Sequence, residues 1–367
     1  MKPYQPDKLP LDGLDYKRLL ALVGDANAEL ARYDGLLQGI VNPAIMLSPL
    51  TNEEAVLSSK IEGTQATVDD VLEQEAGLLK DGEKAKDIQE IINYREALRA
   101  SHQYLKERPI TLAFVRELHK ILLSSVRGQD KTPGEIRTEQ NWIGRYGCTM
   151  EQASFVPPSP LQLQDHLDAW QAYLADDDID ILLQTAVMHA QFELLHPFKD
   201  GNGRIGRILI PLFLYQKKKI SQPMFYLSAY LEAHREEYYS RLQAISRDGD
   251  WNSWIAFFLQ AITEQAKNNS AKVKAIMGLY DDMKKQIHEI THSQYTVHLL
   301  DAIFDRPIFD SSHLVKHADI PVASVKSFIP KLKKAGILTE IRPARGRTPA
   351  VLAFGQLLNI AEGKHVF

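Results

Sequence analysis

A single cysteine, Cys148, stands in 367 residues. No internal disulfide can form, so the fold does not depend on an oxidising compartment. No apolar run approaches the roughly 18 residues that a helix needs to cross a bilayer. The opening stretch, MKPYQPDKLPLDG, lacks the hydrophobic segment of a secretory signal. Surplus positive charge is also missing: 43 Lys and Arg against 47 Asp and Glu leave a net charge of −4, which argues against wholesale coating of nucleic acid. These absences point away from membrane proteins and disulfide scaffolds, toward a cytoplasmic protein without a membrane partner. A hydrophobic content of 44% and a charged content of 25% are those of an ordinary globular chain, long enough for two or three domains.

The chain is organised around His196-Pro197-Phe198-Lys199-Asp200-Gly201-Asn202-Gly203-Arg204-Ile205-Gly206-Arg207. Before it, Leu183, Val187, Ala190 and Leu194 share a helical face, and Pro197 predicts that this helix stops at His196. Gly201, Asn202 and Gly203 suit the positive φ values that turn backbone N–H groups inward as an anion nest. Ile205, Ile208, Leu209 and Leu212 predict a second helix from about Gly203, its positive dipole end aimed at the same spot. Arg204 and Arg207 share a face of its first turn, where cations oppose the dipole at roughly 0.3–1 kcal/mol each. Two arginines so placed suggest a polyanion between them, and Asp200 is a hard oxygen donor of the kind Mg²⁺ takes beside phosphate oxygens.

This stretch matches at every fixed position the signature His-Pro-Phe-x-(Asp/Glu)-Gly-Asn-Gly-Arg-x-x-Arg, and so resembles the Fic (filamentation induced by cAMP) family. The resemblance implies a mainly α fold: a helical core with a short β-hairpin flap, here followed by a small C-terminal winged-helix domain. It implies a protein adenylyltransferase that moves AMP from ATP to a Ser, Thr or Tyr hydroxyl of a target protein, itself included. In that picture His196 is the general base and Asp200 holds Mg²⁺. Gly201, Asn202, Gly203, Ile205 and Gly206 line the nucleotide site, and Arg204 and Arg207 bind its phosphates. Two alternatives remain: a DNA-binding regulator whose core only senses nucleotide, and a related enzyme that uses another nucleotide or removes AMP.

Taken in order, residues 1–110 read as a helical region, with amphipathic segments at 14–40, 67–79 and 84–106. Thr51 and Glu54 have capping-box spacing and predict that a helix opens at Thr51 and ends near Gly63. Ser58 to Gly63 resembles the family's inhibitory motif, (Ser/Thr)-x-x-x-Glu-(Gly/Asn), which implies that Glu62 meets Arg207 as a bidentate pair. The core is expected over 111–267. Its Pro- and Gly-rich stretch 127–160 is expected to hold two short strands, Asn141–Gly147 and Ser154–Val156. By resemblance these form the flap that docks a target by main-chain pairing, with Ile143, Gly144, Arg145 and Phe155 as contacts. The Asp176-Asp177-Asp178 triplet reads as a solvated turn, and His189 as core. The resemblance also makes Tyr239 a candidate contact to the adenine base.

Residues 268–290 read as a polar connector helix. The remainder, 291–367, reads as three helices (297–304, 311–317, 322–335) and a hairpin with a basic tip. Between 311 and 350 eight Lys or Arg (316, 326, 331, 333, 334, 342, 345, 347) stand against two acids (319, 340), a surplus of eight minus two, or six. That asymmetry suits contact with DNA phosphates. The alternative is a protein-interaction or homodimer module.

Overall fold

The computed structural model describes residues 2–77, 84–124, 131–145, 147–178, 180–318, 320–346 and 349–363, His317 by its backbone alone. The order along the chain is α1 (Tyr16–Gln38), α2 (Pro43–Met46), α3 (Ser48–Ile61), α4 (Val68–Glu75), α5 (Lys84–Leu105), α6 (Leu112–Leu122), α7 (Pro160–Ala175), α8 (Ile181–Leu195) and α9 (Asn202–Gln216). Then come α10 (Ser228–Ala233), α11 (Arg235–Asp248), α12 (Trp251–Thr291), α13 (Thr296–Asp305), β1 (Ile308–Asp310), α14 (Ser311–His317), α15 (Val322–Lys334), β2 (Thr339–Arg342), β3 (Val351–Ala353) and α16 (Gly355–Glu362). The fold is mainly helical, with one small sheet.

Two compact units emerge. The first gathers Met1–Asp34, Leu57–Thr64 and Ile92–Lys267; the second gathers Gly35–Val56, Gln65–Ile91 and Asn268–Phe367. In the first, α8 and α9 form the centre. Asp180 starts α8 by accepting the N–H groups of Leu182 (2.8 Å) and Leu183 (3.3 Å) through Oδ1, which satisfies two donors a helix start leaves free. Almost every α8 side chain is buried, the polar Gln184, Thr185, His189 and Gln191 included. Trp170 and Trp254 pack on it, their indole N–H groups donating to Met188 O (3.0 Å) and Ala186 O (2.9 Å). Each such ring buried is worth about 3 kcal/mol or more. Helix α9 runs unbroken through Pro211.

In the second unit Thr67 and Asp70 form a reciprocal capping box at the start of α4. Lys272 joins two segments, bonding both Glu53 carboxylate oxygens at 2.6 Å and Ala361 O at 2.7 Å. The sheet is antiparallel in the order β1-β3-β2, with Ile308 opposite Ala353 and Glu340 opposite Leu352.

Several expectations need correction. Helix α3 begins at Ser48, not Thr51: Leu47 already accepts the N–H groups of Leu50 and Thr51, so Thr51 lies inside the first turn. The helix expected over 268–290 already begins at Trp251 and runs 41 residues, because no Pro or Gly interrupts the chain at 267. Instead of two strands, the described residues of 141–156 have a single antiparallel bridge, Ile143 with Phe155. The expected C-terminal hairpin is paired, and β1 and α16 were not foreseen. A strand of three residues is too short to show a period.

Candidate functional site

His196 caps α8 in a left-handed conformation, φ 47° and ψ 60°. The carbonyl of Glu193 stands 3.3 Å from its Nδ1. A carbonyl only accepts, so Nδ1 carries the proton and Nε2 keeps its lone pair. The ring is half-buried. Burial pushes its pKa down to about 4, with Arg137 acting in the same direction and the Glu193 carbonyl, Glu62 and Asp200 against it. At neutral pH it is an uncharged imidazole able to accept a proton.

Gly201 supplies the left-handed turn that opens α9, φ 78°. Asn202 does not turn its side chain outward. Its amide closes on the Phe198 peptide, Oδ1 accepting from Phe198 N (2.8 Å) and Nδ2 donating to Phe198 O (2.9 Å). This pair of bonds makes the loop rigid. Asp200 Oδ1 takes the Gly201 N–H (2.6 Å) and faces Arg204 Nη2 at 3.4 Å, while the carboxylate stays 43% exposed. Arg204 is buried.

Arg207 is held by α3. Its Nε donates to Ser58 Oγ (2.8 Å), and Nη2 donates to Ser58 O (2.9 Å) and Glu62 Oε1 (2.7 Å). The expected bidentate pair is therefore a single charge-assisted bond, since Ser58 has taken Nε. Burial opposes the charge on both partners. For Glu62 the opposing pull of Arg207, then Arg204 and His196, wins and lowers the pKa. Arg207 is held above its ordinary value chiefly by Glu62. The carboxylate sits where α9 has no side chain: a Cβ built on Gly203 would collide with Glu62 Oε1 and come within 3.0 Å of Arg207 Nη1.

These groups open into a cleft of about 810 Å³ whose wall includes Glu62, His196, Gly203, Arg207, Tyr239, Ile143, Gly144 and Phe155. Arg145 lines an adjoining groove with Gly144 and Cys148. Asp200, Gly201, Asn202, Arg204, Ile205, Gly206 and Ser58 are not part of the cleft wall. Gly206 packs against α8, its carbonyl facing His189 Nδ1 at 3.1 Å, and a Cβ there would strike Glu193 Oε1. Ile205 is core. His189 is buried as expected, its Nε2 facing Tyr238 Oη at 3.0 Å. Tyr239 is 43% exposed, with Arg235 lying 5.7 Å from its ring centre, and burial with nearby Glu62 pushes its phenol up to about 12.

Three residues went unnoticed in the sequence. His119 on α6 accepts the Gly134 N–H at Nδ1 (2.8 Å), faces Asp200 O from Nε2 (2.9 Å) and stacks on Phe198 at 3.8 Å. A histidine among Val115, Leu118 and Leu122 on an apolar face was the available signal. Glu193 lines the cleft, and burial raises its carboxyl to about 8, Arg207 opposing and Glu62 assisting. Arg137 left no mark in periodicity or charge pattern.

Residues 20–103 match the family model described as Fic/DOC family N-terminal, and residues 109–214 the one described as Fic/DOC family. The protein adenylyltransferase fic-1 of Caenorhabditis elegans is 27% identical over 210 residues, 56% of this chain and 36% of that protein. A probable protein adenylyltransferase of Aquifex aeolicus is 26% identical over 196 residues, 52% of this chain and 56% of that protein. The chain thus spans between about a third and just over half of these relatives' length. Among solved structures, a Fic family protein from Desulfovibrio desulfuricans is similar in fold over 97% of this chain and 99% of its own, with a TM-score of 0.58 at 18% identity. A Fic-domain signalling protein from Bacteroides thetaiotaomicron covers 69% of this chain and 97% of its own, with a TM-score of 0.56 at 20% identity.

Proposed function

This chain belongs to the Fic/DOC family, and on that premise we propose that it is a nucleotidyltransferase that moves AMP from ATP to a protein hydroxyl, restrained by Glu62. One observation carries the reading. A neutral imidazole with a free Nε2 stands in the same cleft wall as an arginine whose only carboxylate partner among the described residues is Glu62. The hydroxyl oxygen forms a bond to the α-phosphorus, the bond from that phosphorus to the bridging oxygen breaks, and diphosphate leaves with the electron pair. His196 takes the hydroxyl proton as the new bond forms. The N–H groups of Asn202 and Gly203, free of helical acceptors at the start of α9, and Arg204 and Arg207 hold phosphate oxygens. Asp200 fits Mg²⁺ as a lone exposed carboxylate, since that ion keeps waters and phosphate oxygens as its other ligands; when bound, it neutralises charge on the leaving diphosphate. Tyr239 is positioned to meet the base, and the 143–155 segment to dock the target.

Glu62 supplies the brake. Its carboxylate occupies the Arg207 nitrogen and the space above Gly203, so the triphosphate settles with the α-phosphorus out of line, and misalignment alone costs orders of magnitude in rate. The test is incubation of the full chain and its Glu62→Gly variant with ATP labelled at either the α- or the γ-phosphate. Label from the α-position should appear on protein. Retention of γ-label instead would overturn nucleotidyl transfer in favour of phosphoryl transfer.

The basic C-terminal stretch supports a second partner. Lys333 pairs with Glu340 at 2.6 Å, Arg342 donates to Gly77 O at 2.9 Å, and Arg347 lies outside the described residues. Lys316, Lys326, Lys331, Lys334 and Arg345 are exposed, which favours a winged-helix-like module that contacts duplex phosphates over one that builds a homodimer.

A further inference from the structure

Arg137 is 2% exposed, and no carboxylate of a described residue pairs with it. Its donors go to carbonyls of three separate segments. Nε donates to His196 O (2.9 Å), Nη2 to Pro158 O (2.6 Å) and more weakly to Leu195 O (3.4 Å), and Nη1 to Glu139 O (3.3 Å). Its own backbone N–H donates to Pro197 O (2.9 Å). Leu195 and His196 are carbonyls that the end of α8 leaves without helical donors, at the negative end of its dipole. Glu139 and Pro158 are the two feet of the segment that carries Ile143 and Phe155. One guanidinium therefore ties both feet of this segment to the backbone of His196.

These carbonyls need donors, because a buried acceptor left unmet costs free energy, yet a buried charge is a costly way to supply them. What a planar fork supplies is fixed geometry toward several acceptors at once, which an ammonium does not. Two neighbours brace the same frame from the segment's side: Gln140 Nε2 donates to Pro157 O (3.0 Å), and Asn141 Nδ2 donates to Phe198 O (3.3 Å).

We propose that Arg137 is a positioning residue that sets the register between the docked acceptor hydroxyl and His196. The inference rests on reading His196 as the base and 143–155 as the docking flap. Arg137 touches none of the proposed phosphate ligands, so loosening it shifts the hydroxyl against the base and leaves the nucleotide in place. A displacement of about 1 Å at this point costs on the order of 10²-fold in rate.

The test uses the full chain in the Glu62→Gly background, with self-labelling from α-labelled ATP as the readout of transfer. Arg137→Lys should lower the rate at saturating ATP by about 10- to 100-fold, with the KM for ATP and calorimetric ATP affinity within about twofold of the parent. Asn141→Ala, which cuts the brace to Phe198 and leaves the buried charge alone, should lower the same rate several-fold; it decides the matter if Arg137→Lys does not fold. Amide hydrogen exchange gives a readout independent of activity. Arg137→Lys should speed exchange in 139–158 and around His196 together, leaving the first turn of α9 unchanged. Unchanged transfer, a parallel loss of ATP affinity, or faster exchange in one segment without the other would overturn the inference. A parent that takes up no label while exchange couples as described would instead count against the transferase reading alone.

Discussion

If the proposed brake acts, removing the carboxylate of Glu62 should raise transfer, and the geometry of the pair sets the size of the effect. The Arg207 guanidinium is 1% exposed and the Glu62 side chain 35% exposed, and they meet at 2.7 Å. A hydrogen bond to a charged group is worth about 1.5–3 kcal/mol, and the half-open carboxylate places this one toward the lower end. At about 1.36 kcal/mol per decade, Glu62→Gly should raise the rate of label transfer from α-labelled ATP by roughly 10- to 100-fold. Ser58 still holds Nε and Nη2 of Arg207 in the variant, so the guanidinium stays in place and ATP affinity should rise far less than the rate. Glu62→Gln keeps the volume and loses the charge, so it should fall between the two. The Glu62 pKa lies below the ordinary carboxylate value of 4.5, so its contribution is complete above that value and is lost only as pH falls through the lowered one. Restraint should therefore not vary between about pH 5 and 7, below the range in which neighbouring Glu193 ionises. A Glu62→Gly chain that binds ATP yet labels at the wild-type rate would refute the reasoning.

His196→Ala in the Glu62→Gly background should cut transfer by about 10²–10⁴-fold with ATP affinity nearly unchanged; near-parental labelling would remove the base role. Glu193→Gln should stabilise the fold in a pH-dependent way. The native carboxyl is raised from 4.5 to about 8, so between those values the folded state holds a proton that the unfolded state has lost, and wild-type stability falls as pH rises. The gain in unfolding free energy should be absent near pH 4.5, grow toward pH 8 and reach on the order of 1–3 kcal/mol; a gain that ignores pH would sink the assignment. If the C-terminal lysines contact duplex phosphates, anisotropy with a labelled duplex should show affinity falling steeply between about 50 and 200 mM salt. Lys331→Glu with Lys334→Glu should flatten that dependence, and no duplex binding by the folded chain at low salt would favour the interaction-module reading.

The His196–Arg207 loop was legible in the sequence because its chemistry is local. Pro197 and Gly201 fix the backbone by themselves, and the helices on either side follow from apolar spacing that neighbours in sequence can reveal. The contact between Glu62 and Arg207 came from matching two motifs. Its one-nitrogen geometry did not, because that depends on how Ser58 is turned on α3. His119 and Arg137 act on carbonyls some 60 to 80 positions away, Arg137 on His196 and His119 on Asp200. Such bonds follow from the packed fold and leave no periodicity behind. The Gly and Pro residues of 127–160 marked an irregular segment, and among its described residues they leave the single bridge of Ile143 with Phe155.

Gly203 has one further consequence. Because it leaves a space that the Glu62 carboxylate enters, the proposed brake behaves as a ligand carried on its own tether. Its strength is then an effective concentration as much as an affinity. That concentration is set by the last turn of α3, where Glu62 N donates to Ser59 O (3.0 Å), Gly63 N to Lys60 O (2.9 Å) and Thr64 N to Ser59 O (3.3 Å), with Lys60 paired to Glu232 at 2.9 Å. Fraying this turn dilutes the carboxylate without altering its chemistry. On the proposed reading, the sensitivity of the switch is held in a few backbone hydrogen bonds of a helix end, adjustable by changes that touch neither Glu62, Arg207 nor the nucleotide.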